Sequence, residues 1–562
     1  MGAAASVEEH KGKPAEEIAA VVKGLSEAEL AHLTASFGMA TCPEATAANR
    51  KSISENEANI HAMHIAVTSN KLSVYEERAR IEENRDLILA NYQAAFKGNR
   101  LMANQNTDDI YKNRFAILDA LKVEGPVQEN FCNSKYNESS IEFINNRCLL
   151  NNRVAKVNVM MSDANEKLIE INNMILEGNE EIVTYNTAQI ETNRKFLEAG
   201  IMPEKCTPEA NAERIESNGK KIAAILERNT KYNGEAASRD AAISENHDKI
   251  MENARLISQR RTQIKENRQG ILTNGTQIQA NLAVCGSGGK SRGVTAALRG
   301  LGEDDMKKIA DALAAPVPAN EKVEENRKNI CQNEAALHKL HLEVMTNKEK
   351  LYAVRSLIEE NRLLVLKNYT GAFVCNRQCA NQNTDDIFKN RMAILDTLKI
   401  EDPIQENFRN SKYNEANIEW LENRSKLNNR VAKVNVKLSE ANKDLIAINS
   451  KIMEGNEEIV NFNTAAIKTN ANLLEAGVLP EKCTPEANLA RINANADSIT
   501  LMQGKAGKYD MSVDKMLERA LANREKINKQ AEAIRDRRHR IKENRKNLLA
   551  NAEKIAELIK NQ

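Results

Sequence analysis

Aromatic residues make up only 4% of this 562-residue chain, which also has just 23 Gly and 10 Pro. So few rings argue against a large compact core, and so few helix breakers leave room for long helices. No run of roughly 18 or more apolar residues occurs, so no transmembrane helix is expected. No apolar signal-peptide core follows Met1. Neither sign of charge dominates: 80 basic and 79 acidic residues leave a formal net charge of +1. A general nucleic-acid binder carries a clear basic excess, so no nucleic-acid partner is expected. The nine Cys are odd in number and scattered, which reads as reduced thiols in a cytoplasmic setting. Asn137, Asn274 and Asn368 lie in glycosylation-type triplets and are discounted for want of a secretory signal.

What the chain has instead is asparagine, 68 of its 562 residues, and a repeat. Residues 103–122 read ANQNTDDIYKNRFAILDALK, and residues 380–399 read ANQNTDDIFKNRMAILDTLK, 277 positions later. Pro203 to Pro208 recurs as Pro480 to Pro485 at the same offset. The register holds from about residue 44 to the end without an insertion. Surface loops tolerate insertions, whereas helices packed in register do not, because one added residue turns every later side chain by about 100°.

Inside each copy Asn recurs every seven residues. In the first copy it stands at Asn151, Asn158, Asn165, Asn172, Asn179, Asn186 and Asn193. In the second it stands at Asn428, Asn435, Asn442, Asn449, Asn456, Asn463 and Asn470. With Asn at heptad position a, positions d and e are mostly apolar, as in Leu168 and Ile169 or Ile182 and Val183. The amide therefore falls within a broad apolar stripe. A seven-residue period implies coiled-coil packing. A buried amide without a partner costs about 1–3 kcal/mol, so the expectation is a ladder of Asn amides bonded across to facing helices or their backbone. Asn158 to Asn193 and Asn435 to Asn470 are the expected register and assembly residues. Arg often follows the heptad Asn (Arg50, Arg85, Arg268, Arg327, Arg362, Arg545), an arrangement that reads as surface ion pairs.

Breakers mark the helix ends. A first helix is expected over about 44–103 and a short one over 107–122, with Thr107 as N-cap and Asp108 and Asp109 in its first turn. A long helix follows over about 128–199. A last one starts at Thr207-Pro208, is interrupted at Asn233-Gly234 and ends near 283. The fold class is all-α: two tandem elongated antiparallel helical bundles, coiled-coil-like three-helix rods. The expected organisation is an N-terminal head at 1–43, rod repeat 1 at 44–285, a Gly/Ser linker at 286–293, a short helical head at 294–317 and rod repeat 2 at 318–562.

Candidate sites are few. Met1-Gly2 with Ser6 fits an N-myristoylation pattern at Gly2. His61 and His64, recurring as His338 and His341, share a helix face but lack further ligands and read as surface histidines. Cys375 and Cys379 are expected as free thiols. Asn104, Asn106 and Asp108 resemble the start of a calcium loop without its Gly or distal Glu, and read as capping residues. Gly289-Lys290-Ser291 follows a helix rather than a strand and reads as linker. No catalytic set recurs in both copies. No catalytic residue, cofactor or metal is expected, and the chain reads as a non-enzyme. The expected function is structural: forming or decorating a cytoskeletal filament, lattice or sheath. Self-association is the expected partnership. Other cytoskeletal proteins, and a membrane surface reached through Gly2, are further partners. The expected location is cytoplasmic, cytoskeletal or peripheral to a membrane. The alternatives are a myristoylated membrane scaffold and, behind it, a lipid or pigment carrier.

Overall fold

A computed structural model describes residues 44–121, 123–199, 206–285, 321–476, 483–509 and 511–561. Gly2, both heads and the 286–293 linker lie outside the described residues. Every regular element among the described residues is helical. In the first copy these are α1 (Glu44–Tyr92), a π-helical turn (Gln93–Asn99), α2 (Arg100–Asp119), α3 (Pro126–Ala199), α4 (Pro208–Gly234) and α5 (Ala236–Cys285). The second copy repeats them as α6 (Glu321–Tyr369), a π turn (Thr370–Asn376), α7 (Arg377–Asp396), α8 (Pro403–Ala476), α9 (Pro485–Lys505) and α10 (Val513–Asn561). At 74 residues, α3 spans about 110 Å.

The starts follow the local chemistry. The Thr207 hydroxyl accepts the Ala210 N–H at 3.1 Å, ahead of Pro208 at the first helical position. Thr484 does the same for Ala487 at 3.1 Å. Proline costs nothing there, because its missing N–H would have no intrahelical partner. The break after α4 falls at Gly234, as its Asn-Gly pair suggests. The second copy breaks instead at residues 506–512, where Gly507 adopts φ +74°.

One expected boundary is wrong. Thr107 does not open a helix. It lies inside α2, and its single hydroxyl proton is shared between the Ala103 carbonyl one turn back, at 3.0 Å, and Asn463 Oδ1 of α8. Such back-bonding satisfies a buried hydroxyl inside a helix as readily as a cap satisfies one at its end. Chain continuity from α1 to α2 runs through the π turn, which inserts one residue. The Asn spacing shows the insertion as Asn91 to Asn99 and Asn368 to Asn376.

The two copies fold side by side, but the three-helix sets are not drawn from one copy each. The middle helix α3 packs along α6, α7, α9 and α10 of the second copy and meets its own copy mainly where it turns back from α2. The middle helix α8 packs along α1, α2, α4 and α5 of the first. Bundle 1 is thus α1–α2, α4–α5 and α8, and bundle 2 is α6–α7, α9–α10 and α3. Within each bundle the paired positions keep a constant sequence offset, so its three helices run parallel. The two bundles run antiparallel, and α3 meets α8 between them through Arg153–Glu458, Lys167–Asp444 and Arg430–Glu181. Lys167 and Asp444 occupy equivalent positions of the repeat, so the pseudo-twofold axis relating the copies passes between them.

Candidate functional site

The heptad asparagines form closed rings. Asn56 Nδ2 donates to the Ile215 carbonyl at 3.1 Å, Asn218 to Ser411 at 3.1 Å and Asn414 to Ile53 at 3.3 Å. Ile53, Ile215 and Ser411 each lie three residues before the ring's own Asn, so the three bonds close a cycle around one layer. The same cycle joins Asn84, Asn246 and Asn442. It also joins Asn91, Asn253 and Asn449, Asn106, Asn267 and Asn463, and Asn113, Asn274 and Asn470. Bundle 2 has the same rings, for example Asn165, Asn361 and Asn523. Others join Asn186, Asn383 and Asn544, and Asn193, Asn390 and Asn551. In one bundle 2 ring Gln530 stands with Asn172 and Asn368.

The chemistry is economical. Each acceptor carbonyl already takes its own helical N–H, and its second lone pair takes the amide. The helix is left intact while a buried donor is satisfied, a bond worth about 1 kcal/mol net. Asn158, Asn179, Asn435 and Asn456 donate in the same way, to Leu351, Ala372, Val74 and Ala95. All twelve asparagines named as register residues are thus buried donors to a neighbouring helix. So are the three in glycosylation-type triplets, Asn137, Asn274 and Asn368.

The residue after the Asn completes the arrangement in several rings, while in others, as at Asn165 and Asn442, the amide oxygen is left without a donor. Thr107 donates to Asn463 Oδ1 at 2.8 Å, Thr384 to Asn186 at 2.8 Å, Thr464 to Asn267 at 3.0 Å and Thr187 to Asn544 at 3.0 Å. Arg114 and Arg391 serve Asn470 and Asn193. In these rings the Asn-Arg and Asn-Thr dipeptides give the amide an acceptor on one side and a donor on the other. The surface reading holds for Arg268 and Arg545, which pair with Asp109 and Asp386, whereas Arg50 pairs with Glu406 from a largely buried position. It fails for Arg85 and Arg362, which are buried.

At the π turns the seam between bundles becomes aromatic and cationic. The Arg355 guanidinium lies 4.9 Å from the Tyr92 ring and 4.6 Å from Phe96. Its counterpart Arg78 lies 4.6 Å from Tyr369 and 4.4 Å from Phe373. Next to them, desolvation lowers the Arg100, Arg362 and Arg377 guanidinium pKa values to about 10, which leaves all three charged at neutral pH. Gly455 and Gly178 make space for Arg100 and Arg377: a Cβ there would sit 2.7 and 2.6 Å from a guanidinium nitrogen.

The remaining candidates resolve simply. His61 and His64 are exposed, with His64 stacked on Trp420, whereas His338 and His341 are half-buried, His341 against Phe143, so the surface reading holds only for the first pair. Cys375 and Cys379 are exposed free thiols. Asn106 is a ring member, and Asp108 pairs with Arg147. No group of three or more potential metal ligands occurs among the described residues. Gly289-Lys290-Ser291 lies outside them. Sequence reasoning missed the π turns, although the eight-residue step between Asn91 and Asn99 signals them.

Together these features define a tandem-duplicated helical bundle protein with two antiparallel sets of three parallel helices, which exchange their middle helices. Set against known protein families, curated proteins and solved structures, the chain matches none of them.

Proposed function

We propose that this protein is a structural scaffold component that assembles with further copies of itself by exchange of its middle helices. One observation carries the reading: every closed ring takes residues from both copies, so neither copy completes a bundle alone. Residues 286–320 join the copies. When the second copy of one chain pairs with the first copy of another, the same rings close and the chain extends end to end. The charge at the pseudo-twofold axis favours this order. Pairing two first copies would bring Lys167 against Lys167, and pairing two second copies would bring Asp444 against Asp444, whereas unlike pairing restores the ion pair. The Asn rings set the register, because each amide finds its carbonyl only when the layers align.

The role is cytoskeletal or scaffolding and gives the chain no catalytic step. Among the described residues no helix is long and apolar enough to cross a membrane. Attachment through Gly2 would add a membrane surface as a partner.

The test uses full-length chains with natural and with heavy-isotope label, refolded together over a range of concentrations. Cross-links between α3 and α6 are then sorted by isotope, and the same samples are imaged by negative stain. Mixed-isotope links that rise with concentration, together with end-to-end multimers, are expected. Links confined to single chains, with single particles at every concentration, would overturn the proposal.

A further inference from the structure

The ladder of bundle 1 is interrupted over three successive layers. The first holds only apolar side chains, Met63, Ile225 and Leu421, packed in one cluster. In the second, Asn428 donates to the Val67 carbonyl at 2.9 Å, but Asn70 Nδ2 has no partner. In the third, Glu77 and Arg239 replace two asparagines, and Arg239 Nε donates to both Glu77 oxygens at 3.0 and 3.2 Å. The break between α4 and α5 falls beside these layers.

Unsatisfied donors converge here. Arg239 is only 7% exposed, and its terminal nitrogens meet no group except Tyr232, whose ring lies 4.3 Å from the guanidinium. Arg228 Nη1 is buried without a partner, and the Tyr232 hydroxyl, met by Arg239, keeps its own proton to donate. The Glu235 carboxylate approaches Arg239 only at 4.0 Å. Arg228, Tyr232 and Arg239 line a cleft of about 200 Å³ with Lys231, Lys433 and a single carboxylate, Glu235, and Arg239 also lines an adjoining cleft of about 230 Å³. A buried donor left without a partner is costly, and several of them facing one space form a receptor for an acceptor-rich ligand.

We propose that this cleft binds a compact oxyanion of the phosphate class. Arg239 Nη1 and Nη2, Arg228 Nη1 and Tyr232 Oη donate to its oxygens, and Lys231 and Lys433 supply charge at the rim. A guanidinium fork suits such an anion, because its paired N–H groups match two oxygens. Glu77 holds the fork by its Nε edge and leaves the other edge free. The site belongs to bundle 1 alone. The equivalent positions in bundle 2 are Val354 for Glu77, Met516 for Arg239 and Lys505 for Arg228.

The second copy supplies the control. In E77V/R239M bundle 1 takes the pair that bundle 2 already carries, so no charge is left buried alone. The full-length protein is titrated calorimetrically with inorganic phosphate and pyrophosphate against chloride at matched ionic strength. Saturable binding is expected, weakened at least tenfold in E77V/R239M and severalfold in Y232F and in K433Q, which alters only an exposed rim residue. Co-sedimentation with vesicles of phosphatidylcholine, with and without phosphatidylinositol bisphosphate, identifies the source of the anion. Vesicle binding that E77V/R239M abolishes points to a lipid headgroup, and binding of the free anions alone points to a soluble one. No phosphate-specific heat, or affinity unchanged across all three variants, would overturn the proposal.

Discussion

The two bundles solve one layer in opposite ways. Bundle 1 places Glu77, Arg239 and Asn435 there, with the ion pair almost fully buried. Bundle 2 places Val354, Met516 and Asn158 at the same height. The one amide common to both layers donates to its neighbour's carbonyl in each. The difference teaches that the backbone arrangement is set by the repeating rings, and that single layers are free to carry charge or hydrocarbon. A buried ion pair is no sure source of stability, since desolvation offsets its attraction. Its presence in one bundle only is better explained by what the open edge of Arg239 does than by folding.

The largest effect should come from breaking that pair on one side. Glu77→Val leaves Arg239 buried without its counter-ion and should cost about 3–5 kcal/mol, read as a shift in denaturant midpoint. The E77V/R239M protein should unfold within about 1 kcal/mol of wild type or above it. A single variant as stable as the double would show that Arg239 does not depend on Glu77.

Next come the two glycines under the guanidinium groups. Gly178→Ala or Gly455→Ala forces Arg377 or Arg100 from its place and should cost about 1–3 kcal/mol. Equal losses at both sites would show that the two π-turn seams are equivalent, and unequal losses would show which bundle packs more tightly.

A smaller effect is expected when a ring is made to copy an existing apolar layer. Bundle 2 already has one in Ile144, Leu340 and Met502. In N165L/N361L/N523L the acceptor carbonyls keep their helical N–H, so stability should rise or stay within about 1 kcal/mol of wild type. Alignment should suffer, seen as α3–α6 cross-links displaced by a heptad. Cross-links in the native register would refute a register role for that ring.

The smallest effect concerns the tyrosines of the seam. Burial pushes the Tyr92 and Tyr369 phenols well above their usual range, helped by the Glu359 and Glu82 carboxylates and opposed by Arg355 and Arg78. A pKa raised by folding gives stability that is complete below the unfolded value near 10. That stability drains away as pH climbs toward the folded value, by at most about 1.4 kcal/mol per pH unit for each group. Phenolate absorbance at pH 11 should therefore fall short of the full tyrosine count while the protein is folded, and rise on unfolding. Tyr92→Phe should flatten the alkaline loss of stability.

Much of this architecture is legible in the residues. Heptad Asn with apolar neighbours declares long helices with buried amides, and Thr207-Pro208 declares a helix start. The exchange of middle helices is not legible. Residues of α3 and α8 share one pattern, so the heptads alone do not say which copy supplies the third helix. Thr107 misleads because Thr with two following Asp makes a good cap in isolation, while the backbone here keeps turning. The Glu77–Arg239 pair lies 162 residues apart, beyond the reach of any local signal.

The offsets within the rings also impose an order of events during synthesis. Asn56 finds its carbonyl 159 residues downstream, within the first copy. Asn137 must wait for Ile330, 193 residues on, and the Ile53 carbonyl waits for Asn414, 361 residues on. While the first copy alone has left the ribosome, α1 and α4–α5 can pair, but α3 has no groove to enter and an apolar stripe stays exposed. Contacts so distant in sequence slow folding, and exposed stripes invite wrong partners. Closure becomes possible only once the second copy is made. In that interval another chain's second copy competes with the chain's own, so the rate of translation bears directly on whether a monomer or a longer assembly results.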